Sequence, residues 1–204
     1  MSEKWTAEDI PDQSGRTVVV TGANSGLGLA SAEALAATGA TVVMACRDTG
    51  KADVVAAPMR TRHPNATVLV EPLDLADLDS VRSFGERFGA AHEGLDLLIN
   101  NAGVMAPPRR FTKDGFELQF GVNHLGHFAL TGLLLGRMAG REDARVVTVS
   151  STAHKLGRIA FDNLEGERRY FRWFAYCQSK LANVLFMAEL ERRLRAAGSA
   201  AKSL

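Results

Sequence analysis

From Thr17 to Gly39 the chain reads TVVVTGANSGLGLASAEALAATG, and few folds accommodate such a segment. Val18 to Val20 is a short, β-branched, apolar run, the composition of a parallel strand covered on both faces rather than one half-exposed to water. Gly22, Gly26 and Gly28 follow within seven residues, and Leu27, Ala30, Ala34 and Leu35 then recur at helical spacing until Gly39 offers a stop. The order is strand, glycine turn, helix. In such a unit the first glycine allows a sharp turn, the second removes the side chain where a phosphate must approach, and the third lets the helix lie close to its strand. Free amides at the helix start attract an anion. The candidate cofactor-binding residues of this turn are Gly22, Asn24, Ser25, Gly26, Leu27 and Gly28.

The spacing is G-x-x-x-G-x-G, which is not the literal dinucleotide fingerprint G-x-G-x-x-G. Taken alone, the segment would also fit a glycine-rich turn that holds no ligand. The rest of the chain decides between them.

Nearly half of the 204 residues are hydrophobic and the net charge is +1, so a single globular domain over residues 1–204 is expected, with residues 1–15 as an N-terminal arm. The balanced charge argues against nucleic-acid binding, and short basic clusters such as Arg168, Arg169 and Arg172 read as solvated surface. No apolar run approaches the roughly twenty residues of a membrane span. The opening MSEKWTAEDIPDQSG is acidic and polar rather than basic and greasy, which points to a cytoplasmic protein. Cys46 and Cys177 have no metal-ligand spacing, and no second pair joins His124 and His127, so neither a disulfide framework nor a metal site is indicated.

Further apolar runs read as strands at Thr41 to Ala45, Thr67 to Val70, Leu95 to Ile99 and Val146 to Val149. Helical patterns fall between them, up to about Arg62, from Leu78 to Phe88, from Phe116 to Met138 and from Tyr176 to Arg195. This alternation predicts an α/β fold: a doubly wound parallel sheet with helices on both faces. Ligands bind beyond the carboxyl ends of such strands, where Gly22 to Gly28, Arg47, Asp74, Leu75, Asn100 to Gly103, Ser150 and Ser151 all fall.

Tyr176 and Lys180 are four apart on a helix and share one face, in a chain with only two tyrosines. A free tyrosine ionises near pH 10, so acid–base work near neutrality asks for roughly 4 kcal/mol from its surroundings. A lysine charge about 4 Å away in a partly shielded cleft is of that order. Ser151, at the end of a strand, could hold an oxygen beside the tyrosine, or simply satisfy local backbone.

In order along the chain, TGANSGLG, Asp74 with Leu75, NNAG at Asn100 to Gly103, Asn123 in VNHLGHF, Ser151 in VTVSS and YCQSK together resemble the short-chain dehydrogenase/reductase family, over about Gly15 to Arg195. ACRD, NNAGVM, VSSTAHKLG and AYCQSKLAN look most like its retinol-dehydrogenase-like group and bacterial relatives. The resemblance implies a Rossmann fold and a catalytic tetrad of Asn123, Ser151, Tyr176 and Lys180. Tyr176 would exchange a proton with the substrate oxygen while hydride passes to or from a nicotinamide, and Ser151 would steady that oxygen. Lys180 would hold the nicotinamide ribose and favour the tyrosinate, and Asn123 would keep a water for the proton relay. Asp74 would meet the adenine, and Asn101, Ala102 and Gly103 would line the adenosine ribose side.

At the end of the second strand, where an acidic side chain would accept from a ribose 2′-hydroxyl, the chain has Cys46 and then Arg47. A guanidinium suits a 2′-phosphate, so NADP is expected over NAD, although Asp48 could instead pair with Arg47. Phe161, Tyr170, Phe171, Trp173 and Phe174 could wall a site for a bulky lipophilic carbonyl or alcohol, or pack into the core or a partner subunit. By the same resemblance, the two long helices would form a homodimer or homotetramer. The competing reading is a dinucleotide-binding protein that does no chemistry. AAGSAAKSL reads as only the beginning of a sixth strand, and a substrate-binding helix segment and a seventh strand are expected to be missing, with the fifth strand left as an open sheet edge.

Overall fold

Val18, Val19 and Val20 are all fully buried because alternate side chains of one strand enter two different cores. The computed structural model describes residues 5–204. Its sheet has six parallel strands, β1 (Thr17–Thr21), β2 (Thr41–Cys46), β3 (Thr67–Pro72), β4 (Leu97–Asn100), β5 (Arg145–Thr148) and β6 (Lys202–Ser203), in the order β3-β2-β1-β4-β5-β6. On one face, α1 (Gly26–Ala37) and α2 (Thr49–Arg62) bring Ala32, Leu35, Ala52 and Met59 against Val18, Val20, Val42 and Met44. On the other, α3 (Leu78–Ala91), α5 (Gly126–Leu134) and α6 (Arg172–Ala196) bring Phe84, Leu130, Leu134 and Leu190 against Val19, Val43, Leu98 and Val146. This is the doubly wound arrangement that the alternating pattern predicts. Its order reverses at β1, so the crevice opens between the carboxyl ends of β1 and β4.

The expected helix from Phe116 to Met138 is not uniform. Phe116 is held in a tight turn, exchanging bonds with Thr112, and the helical path begins at α4 (Leu118–Phe120), where the Glu117 carboxylate accepts the Phe120 N–H. A π-helical turn follows at Gly121–Leu125, closed by the Gly126 N–H donating to the Gly121 carbonyl, and after α5 the path tightens into a 3-10 turn at Leu135–Met138. Isolated π turns inside helices recur at functional sites. α6 begins one turn earlier than expected, so Tyr176 lies in its second turn. Buried Gln119 donates to the Arg172 carbonyl and anchors that first turn.

β5 is not an open edge. Lys202 and Leu204 donate to the Ala144 and Val146 carbonyls, Thr148 donates to Leu204, and Glu191 of α6 accepts the Ser203 N–H, so two residues of β6 and their neighbours cover it. Part of the N-terminal arm is tied to the end of α1 through Gln13, whose N–H donates to the Thr38 carbonyl; residues 1–4 of that arm lie outside the described residues. Among the described residues, no helix is long and apolar enough to cross a membrane, and no His, Cys, Asp and Glu cluster could hold a metal ion.

Candidate active site

The three glycines of the turn differ in what they permit. Gly22 has φ +65°, and Gly26 has φ +55° with open space where a side chain would stand. A Cβ on Gly28 would lie 2.6 Å from the Gly22 carbonyl oxygen and 2.5 Å from Asn101 Nδ2, so its absence lets α1 sit on the end of β1. Ser25 is the N-cap residue of α1 but its hydroxyl does not cap it, so the first amides of the helix are free for an anion.

A cleft of about 440 Å³ gathers much of the expected set: Gly22, Asn24, Ser25, Arg47, Asp74, Leu75, Asn101, Ala102 and Gly103 all line it. Gly26 and Leu27 are exposed and Gly28 is buried beneath the turn; these three do not line the cleft. The Cys46 thiol is turned inward, with the backbone N–H groups of Ala23 and Asn24 directed at it, and burial pushes its pKa up. Arg47, the next residue, lines the cleft together with Ala45 and Asp48. The Asp48–Arg47 pair does not form: the Asp48 carboxylate caps α2 by accepting the Lys51 N–H at 3.0 Å and pairs with the Lys51 ammonium at 3.2 Å, contacts that hold its pKa down. Arg47 makes no ion pair among the described residues. Lys51 lines the same cleft, a basic residue that the sequence reading missed although it stands only four residues after Arg47. Asp74 accepts the Ala76 N–H at 2.9 Å and donates its own N–H to Ser80 Oγ, which fixes the turn after β3.

Thr21, also missed, organises the other wall. Its hydroxyl accepts the N–H groups of Asn101 and Ala102 at 2.9 and 3.0 Å, while Asn101 Nδ2 donates to its carbonyl. A Cβ on Gly103 would stand 3.2 Å from Asn123 Oδ1 and 3.6 Å from Lys180 Nζ, so this turn connects the cleft to the expected tetrad.

Asn123 lies in the π turn, fully buried. Its side chain accepts the Val104 N–H at 2.8 Å and donates to the Val104 carbonyl and to Ser179 Oγ. Lys180 is 5% exposed; its ammonium donates to the Val149 carbonyl at 3.2 Å and sits 5.8 Å from the centre of the Tyr176 ring. Burial lowers the Lys180 pKa. Ser151 accepts the Ala153 N–H at 3.2 Å as the cap of a short 3-10 turn. A hydroxyl has one proton and two acceptor positions, so this capping leaves its proton free to donate. The aromatic segment divides. Trp173 stands edge-on to Tyr176 with ring centres 6.5 Å apart, whereas Tyr170 donates to Glu117 and accepts from Gln119. Phe171 and Phe174 line a small cavity with Leu164, and Phe161 lines a separate groove between α5 and α6. Of the five rings, then, Trp173 is the one that stacks edge-on against Tyr176.

A model of the short chain dehydrogenase family matches residues 16–200. Retinol dehydrogenase 12 of Homo sapiens is 54% identical over 184 residues, covering 90% of this chain and 58% of that protein. The chain thus spans less than two thirds of the length of this relative. Among solved structures, an uncharacterised protein of Mycobacterium paratuberculosis is 54% identical with a TM-score of 0.87, covering 98% of this chain and 70% of that one. A short-chain dehydrogenase/reductase of Burkholderia phymatum, solved in complex with NAD, is 28% identical with a TM-score of 0.75, covering 95% of this chain and 65% of that one. The matched span takes in the glycine turn, the Asn100 to Gly103 turn and the helix of Tyr176 and Lys180, and the chain belongs to the short-chain dehydrogenase family.

Proposed function

We propose that these residues form a single dinucleotide-binding domain of an NADP(H)-dependent oxidoreductase that interconverts an alcohol and a carbonyl, with a bulky lipophilic compound as substrate. The observation that carries the reading is the meeting, at Gly103, of the glycine-turn cleft with the buried Lys180 ammonium beside the Tyr176 ring. The cleft suits a dinucleotide: the uncapped start of α1, and the Arg47 guanidinium, which has no ion pair among the described residues, fit its phosphates. When bound, the nicotinamide supplies or takes the hydride. Tyr176 gives its hydroxyl proton to the substrate oxygen in reduction and recovers it in oxidation, Ser151 donates a hydrogen bond to the same oxygen, and the Lys180 ammonium stands beside the tyrosine ring. Asn123 holds Val104, and through it the turn that shapes the site. The open side of Tyr176 beside Trp173 suits an apolar substrate. Retinol dehydrogenase 12 is named for a substrate of that kind. NADPH oxidation measured against a panel of carbonyls tests the reading.

NADPH is expected to bind at least about tenfold more tightly than NADH, because Arg47 with Lys51 beside it would meet a 2′-phosphate. Arg47→Asp should narrow or invert that preference in a fluorescence titration. Equal affinities in the unmodified chain would remove Arg47 from this role.

Association through α5 and α6 is part of the same proposal. These helices flank a groove of about 440 Å³, and Phe128 and Leu185 on its walls are half exposed, 56% and 52%. An apolar face of this kind suits burial against a second copy. Light scattering should report dimers or tetramers that Leu185→Glu converts to monomers, whereas monomers at every concentration of the unmodified chain would contradict it.

A further inference from the structure

His127 is fully buried in the first turn of α5, and neither the glycine turn nor the tetrad accounts for it. Its Nε2 lies 2.8 Å from Thr21 Oγ1, and its Nδ1 lies 3.1 Å from the Asn123 carbonyl oxygen. The proton positions follow from counting. Thr21 Oγ1 already accepts two backbone N–H groups, from Asn101 and Ala102, which uses both of its acceptor positions. Its own proton must go outward, either to His127 Nε2 at 2.8 Å or to the Ile99 carbonyl at 3.3 Å, and the shorter contact selects the imidazole. Nε2 is then the acceptor nitrogen of a neutral ring, and Nδ1–H donates to Asn123. One tautomer satisfies every group.

The ring therefore joins two halves of the site that no strand or helix connects directly. On one side, Thr21 fixes the amides of the turn lining the cleft. On the other, Asn123 sits in the π turn and grips Val104 and Ser179, the latter adjacent to Lys180. We infer that His127 is a positioning residue, a neutral Nδ1–H imidazole that holds the Asn101 to Gly103 wall in register with Asn123 and so aligns the cofactor cleft with the proton-transfer groups. The inference rests on the oxidoreductase reading for its functional consequence. Its structural content does not.

Three readouts test it. In the unmodified chain, imidazole ¹⁵N shifts should report the Nδ1–H tautomer, and an Nε2–H tautomer would overturn the assignment without any variant having to fold. In His127→Phe, which keeps a ring of similar shape without its polar atoms, amide hydrogen exchange should quicken by about tenfold at Asn101 and Ala102 while α2 keeps its protection. The same variant should bind NADPH about tenfold more weakly and lose a further factor of about ten in kcat, with the carbonyl KM little changed. His127→Gln, which can still accept through one amide atom and donate through the other, should recover most of both losses. Unchanged exchange and turnover in His127→Phe would make the ring a space-filling core residue and overturn the proposal. Failure of the unmodified chain to bind NADPH would instead overturn the oxidoreductase reading, while the tautomer and exchange results would still decide what His127 does.

Discussion

Replacing Tyr176 with phenylalanine is expected to lower the rate of NADPH-dependent carbonyl reduction by roughly two to four decades while leaving NADPH affinity nearly unchanged. The phenyl ring keeps the edge-on contact with Trp173 and the half-buried position in the second turn of α6, so only the proton is lost. Lys180→Ala should behave differently and harm both affinity and rate. It removes a buried ammonium that donates to the Val149 carbonyl, lies 5.8 Å from the centre of the tyrosine ring and faces Gly103 at the end of the cleft. Single-turnover reduction and cofactor titration on the same two variants separate the effects. Full turnover in Tyr176→Phe would mean that another group supplies the proton.

The second large effect is on stability in acid. Burial pushes the pKa of His127 down to about 4, and the positive charge of Lys180 and the nearby His124 act in the same direction, while the bond to the Asn123 carbonyl acts against them. An unfolded chain protonates this histidine near pH 6.5, so between about pH 6.5 and 4 the unfolded state binds the extra proton and the folded state is disfavoured. The stability conferred by a neutral His127 is complete above about pH 6.5 and is lost as pH falls towards 4, by roughly 3 kcal/mol in all. His124, lowered by burial, adds to the loss in the same sense. Urea unfolding at pH 7.5 and 4.5 should show a much smaller acid penalty in His127→Phe than in the unmodified chain. Equal penalties in the two would contradict a buried neutral imidazole.

The fold was readable in the sequence because its strands announce themselves twice. Val18 to Val20 and Val42 with Val43 are β-branched runs too apolar for a half-exposed strand, and each is followed by a polar or glycine-rich turn that begins a helix. One feature was hidden because it is made by contacts distant in sequence. The π turn at Gly121–Leu125 has no local signature: a Cβ on Gly126 would come within 2.6 Å of the Leu75 carbonyl oxygen, so the path of that helix is set by the turn after β3. β6 was legible in AAGSAAKSL as the beginning of a strand, and the structure pairs two of its residues, Lys202 and Ser203, with β5. At the candidate site the cleft residues were readable from the glycine and asparagine turns, whereas Thr21 and His127 were not. A threonine ending a strand and a histidine on an apolar helix are each unremarkable until the fold brings them 2.8 Å apart. Whether Asp48 pairs with Arg47 was open in the sequence, and the fold decides it: Asp48 begins a helix, and the backbone N–H and ammonium of Lys51 claim its carboxylate.

The most direct test of the oxidoreductase reading is steady-state oxidation of NADPH by the purified protein against a panel of carbonyls ranging from small aldehydes to bulky apolar aldehydes and ketones, with Tyr176→Phe run in parallel. The account predicts substrate-dependent oxidation that favours the bulky apolar members and falls by at least about a hundredfold in Tyr176→Phe. NADPH binding without oxidation above the Tyr176→Phe background for any carbonyl would contradict it.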